Sequence, residues 1–140
     1  MLKGLTQDLK SADPAAWKRA CLRAFHGVLL ALCLPGLPLG GLYWLSKPAP
    51  YPLWAALGLA GLGLLLGLAA LQLAGRSARD PRLNKQQAGL TSAMQLASAP
   101  AVPFLLGCAA LHQPLAWGLL WVGAALLYAA ARGRVGKSIS

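Results

Sequence analysis

The chain has 140 residues, 57% of them hydrophobic and 11% charged, with a formal charge of +10. A soluble domain carries about 25% charged residues, so this composition excludes a solvated globule and, with it, an ordinary soluble enzyme. Thirteen Lys and Arg stand against three Asp and no Glu. Because the cations flank apolar runs, the excess charge reads as orientation in a bilayer and attraction to anionic headgroups, and no nucleic-acid partner is expected.

In chain order, residues 1–10 place Leu2, Leu5 and Leu9 at helical spacing between Lys3 and Lys10, which predicts a short helix on the cytoplasmic leaflet. The basic leader contains acids, and no small-residue cleavage site follows the first apolar run, so an uncleaved first span is expected. Uncharged stretches then measure the spans, since a helix rises ~1.5 Å per residue and the hydrocarbon layer is ~30 Å thick. Residues 24–46 make one crossing, and residues 48–75 a second whose middle has neither charge nor proline. Residues 86–131 are too long for one crossing. Leu111, His112, Gln113 and Pro114 supply a turn that divides them into spans near 90–110 and 115–131.

The predicted fold class is therefore an all-α integral membrane protein with four transmembrane helices. Its segments are a cytoplasmic or interfacial N-terminal stretch (1–23), a first hairpin (24–75), a basic loop (76–87), a second hairpin (88–131) and a basic tail (132–140). Twelve of the thirteen basic residues fall in the first, third and last segments. The positive-inside rule makes these cytoplasmic and puts Lys47 and His112 outside; the Ala, Leu, Gly and Arg-rich composition points to a bacterial inner membrane.

The halves echo each other. Ser11, Ala12, Asp13 and Pro14 recur as Ser77, Ala78, Asp80 and Pro81, and Pro35 with Pro38 recurs as Pro100 with Pro103. This order predicts a duplicated hairpin related by an axis along the membrane normal. Asp13 and Asp80 are the expected helix caps, each followed by a proline at the first helical position. The four later prolines are expected bends in the outer halves of spans one and three.

No Asp, Glu, Lys or Arg lies at depth in these spans, which argues against ion-coupled transport. Thr91, Gln95 and Ser98 fall within about 60° on a helical wheel. They are candidates for helix packing or for a polar pathway, and span three is expected to sit centrally with this side turned inward. His26 and His112 read as interfacial histidines near opposite faces, and Cys21, Cys33 and Cys108 as small apolar residues. Trp17, Trp44, Trp54, Tyr43 and Tyr51 read as interfacial anchors. Gly63 with Gly67, and Gly36 with Gly40, have the spacing of close helix contacts.

No catalytic, cofactor or metal-ligating set is legible, so none is expected. The expected function is a non-catalytic accessory or assembly subunit of a larger membrane complex, with other membrane subunits and lipids as partners. The alternative is a homo-oligomeric channel or carrier for a neutral or lipidic solute.

Overall fold

The computed structural model describes residues 13–82 and 84–137, so the helix expected over residues 1–10 lies outside the described residues. The described chain is all helical: α1 (Pro14–Cys33), α2 (Gly36–Ser46), α3 (Leu53–Ser77), α4 (Lys85–Ala109) and α5 (Pro114–Lys137). With α1 and α2 together as one crossing, Pro14–Ser46, four helical segments are long and apolar enough to cross a membrane.

Helix α1 starts where Asp13 accepts the Ala15 N–H at 3.1 Å, with Pro14 behind it at the first helical position. Asp80 does not play the corresponding part. Its carboxylate accepts the N–H of Arg82, two residues on, and closes a local turn, while α4 begins later, at Lys85, with Asn84 preceding it. A carboxylate committed to its own turn has no reach left for a helix start several residues downstream.

The proline pairs also differ. The first span is interrupted at Leu34 and Pro35, where Leu37 N–H takes the Leu34 carbonyl at 3.2 Å in place of the donor missing from Pro38. Helix α4 instead runs unbroken through Pro100 and Pro103, both buried. A proline inside a helix strips the carbonyl four residues earlier of its donor, so Pro103 frees the Ala99 oxygen. That oxygen lies against Gly67 of α3, so close that a Cβ there would stand 2.8 Å from it.

Helix α4 is the hub. It packs extensively on α3 and α5, then on α1 and α2; α5 bridges α3 and touches α1 only lightly. Within its most apolar window 56% is buried, against 6% for the first span. Alanines make this possible: Ala88, Ala93, Ala97, Ala99 and Ala101 are all buried, and small side chains let neighbouring backbones approach. In lipid such contact, rather than removal of apolar surface from water, holds helices together. The largest buried cluster joins Cys21 and Phe25 of α1, Leu71 and Ala74 of α3, Leu96 and Ala97 of α4, and Val135 of α5. Trp17 packs against this cluster and over Gly89, so it joins α1 to α4 as well as lying among cations.

The close approach at Gly67 yields a stability test. Gly67→Ala should cost about 1–3 kcal/mol, because the opposing atom is backbone and cannot rotate away. Gly61, where an added methyl would meet nothing within 4 Å, should accept alanine without loss. Thermal unfolding in mild detergent would separate the two, and equal midpoints would refute the contact.

Candidate functional site

The polar residues expected to face inward on span three do not do so. Gln95 is exposed, Thr91 and Ser98 are half-buried, and the buried serine is Ser92, about 60° round the helix from Gln95. The buried positions of α4 are taken by alanines, prolines, Leu96, Gly107 and Cys108, side chains that need no hydrogen-bond partner, and by the small Ser92. Helix α4 lies centrally, as its low apolar content requires, but shows Gln95 on an exposed face. Ser98 satisfies itself by donating to the Gln95 carbonyl at 2.6 Å. The Gln95 side-chain amide forms no hydrogen bond among the described residues.

The two histidines belong to separate clusters. His26 has Nδ1 2.7 Å from the Leu22 carbonyl and Nε2 3.0 Å from the Tyr128 hydroxyl. A carbonyl only accepts, so Nδ1 carries the proton, and in the neutral ring Nε2 accepts from Tyr128. This contact ties α1 to α5 across the hub. His112 lies in the turn between α4 and α5, stacked on Tyr43 and edge-on to Tyr51 at a centroid distance of 4.7 Å. Both its ring nitrogens are buried without a partner among the described residues. Beside it, buried Gln113 donates to the Tyr51 carbonyl and fastens this turn to the loop before α3. Tyr43 and Tyr51 thus contact a histidine, and Tyr51, Trp44 and Trp54 are exposed, as anchors at a membrane surface would be.

A cavity of about 570 Å³ opens at the basic end, between the ends of α3 and α5 and the first turns of α4. Gly75, Ala78 and Arg79 line it from α3 and the turn after it, Ser92 and Leu96 from α4, and Arg134 and Lys137 from α5. Arg134 is held in place by donating from Nη1 to the Leu71 carbonyl at 3.1 Å. In the sequence these cations read only as markers of orientation, because their meeting depends on how three helix ends converge. Among the described residues no group of three or more His, Cys, Asp or Glu comes together to hold a metal ion. Cys21 and Cys108 are buried and Cys33 half-buried, all as free thiols.

Comparison with known proteins supplies no relative: no family model, no curated protein and no solved structure matches the chain.

The loop-end cluster makes its own prediction. Leaving a buried polar group unpaired costs about 1–3 kcal/mol, whereas an apolar replacement of similar shape removes that cost. His112→Phe should therefore keep or raise the unfolding midpoint, while Gln113→Leu, which removes the Tyr51 bond, should lower it. A loss of stability in His112→Phe equal to that of Gln113→Leu would show that the imidazole is held by a bond after all.

Proposed function

We propose that this chain is a non-catalytic accessory or assembly subunit that works by packing against other membrane helices. One observation carries the reading: the exposed side-chain amide of Gln95, which has no partner among the described residues. It stands ten residues into α4, ~15 Å along a helix that crosses a ~30 Å hydrocarbon layer. Lipid tails offer an amide no partner, so an incoming helix that supplies one is favoured by roughly 0.6 to 2 kcal/mol. The thin attachment of the first span supports the same reading, since its apolar residues Leu34, Leu37, Leu42 and Leu45 remain uncovered by the described chain itself.

A second reading is favoured by the continuity of the stripe. In a ring of copies, Thr91, Gln95 and Ser98 would line a shared path for a neutral or lipidic solute. Mild detergent extraction followed by native mass measurement separates the two. The first reading expects a stoichiometric foreign chain that is lost, with association weakened about tenfold, in Gln95→Leu. The monomer's own unfolding midpoint should stay unchanged, because the Gln95 amide bonds no other span. A homo-oligomer in place of a foreign chain favours the path. A wild type that stays monomeric from a native membrane sinks both.

In this reading residues 1–23, 76–87 and 132–140 are cytoplasmic, in a bacterial inner membrane, with anionic headgroups meeting the basic face. In a Cys-free background, Asp80→Cys should be labelled only from the cytosolic side and Ala49→Cys only from outside; the reverse pattern would overturn the orientation. The echo between the halves supports an inferred duplication of a two-helix hairpin whose copies have diverged, one proline pair breaking its helix and the other lying within a packed one.

A further inference from the structure

We propose that the cavity at the basic end binds a phosphate group, as the headgroup of an anionic lipid or as a free phosphate, between Arg79, Arg134 and Ser92. Two guanidinium side chains, Arg79 and Arg134, border this void, with Lys137 also in its lining, and no described acid lines it. The two described acids are engaged elsewhere. Asp13 accepts the Ala15 N–H at the start of α1, and Asp80 accepts the Arg82 N–H within its own turn. Arg79 and Arg134, brought to one open cavity, repel one another, and a bound anion relieves that repulsion.

The donors are arranged as well as charged. Arg134 spends one N–H on the Leu71 carbonyl, which fixes the plane of its guanidinium beside Gly75 and leaves other N–H groups for a ligand. A planar fork held in this way matches the oxygens of a phosphate. Ser92 is only 2% exposed and lines the cavity, yet its hydroxyl forms no hydrogen bond to another described residue. A hydroxyl with no bond to a described residue, lining an open cavity, is available to donate to whatever occupies that space. Leu96, Gly75 and Ala78 add apolar surface to the lining. That profile suits a phosphoglycerol group at the boundary of headgroups and acyl chains. Phosphate chemistry is shared by the lipid and the free ion, and the test distinguishes them.

The experiment uses the full chain in maltoside micelles, titrated with phosphatidylglycerol, phosphatidylcholine or inorganic phosphate, with bound ligand read by native mass and by the shift of the unfolding midpoint. Phosphatidylglycerol should bind at least tenfold more tightly than phosphatidylcholine. The double variant Arg79→Gln, Arg134→Gln should lose at least tenfold in affinity, and Ser92→Ala severalfold. Arg76→Gln, Arg132→Gln, which removes the same charge from exposed positions outside the cavity, should leave binding unchanged. Should the loss of the Leu71 contact unfold the double variant, Arg79→Gln, Ser92→Ala carries the comparison, because neither side chain bonds another helix. If inorganic phosphate at millimolar concentration competes with the lipid, the ligand is a free phosphate; if it does not, the site reads a lipid headgroup. Equal losses in the cavity and control variants would overturn the proposal by reducing it to diffuse surface charge. Absence of binding to both the anionic lipid and phosphate would overturn it outright.

Discussion

A backbone carbonyl that loses its hydrogen bond inside a bilayer has no water to turn to, and the shape of this bundle follows from where its prolines release such carbonyls. Pro35 and Pro38 act at the exposed side of the first span, where the helix breaks and reforms through an i to i+3 contact. Pro103 acts at the centre, where Gly67 brings α3 against the freed Ala99 oxygen. Such a short approach admits a weak Cα–H···O contact and leaves no gap in the packing. Around that line of contact α3, α4 and α5 form a tight core, and the first span is added to one side.

The polar residues of α4 differ in their surroundings. Most buried positions of α4 are held by small residues, with Leu96 the larger exception, and Gln95 lies on the exposed side. The small Ser92 is buried and lines the basic cavity. Helix α4 thus has two polar features: an outward amide that has no partner among the described residues, and an inward hydroxyl that faces a space. One is suited to another helix, the other to a small anion.

The two ends of the bundle are held by different chemistry. At the basic end Arg134 reaches back along α3 to a backbone carbonyl, joining helix ends by a charge-assisted bond. At the other end Gln113 joins the loops through the Tyr51 carbonyl, and His112 contacts Tyr43 and Tyr51. Midway, the His26 and Tyr128 pair couples α1 to α5, which otherwise touch lightly.

The number of apolar spans, their order and the break before Pro114 are legible in the sequence, because length and lack of charge act locally and each span obeys them alone. Asp13 before Pro14 can also be read as a helix start, for a cap needs only its own next residues. Asp80 before Pro81 carries the same local signal and makes a turn instead, since nothing in that dipeptide says how far away the next helix begins. The side of α4 that turns inward, the burial of Ser92 in place of Gln95, the partners of His26 and His112, and the meeting of Arg79, Arg134 and Lys137 were decided by tertiary structure. Each depends on which helices lie beside α4 and how closely their backbones approach. That is a matter of volume and contact between distant segments, to which periodicity along one segment is blind.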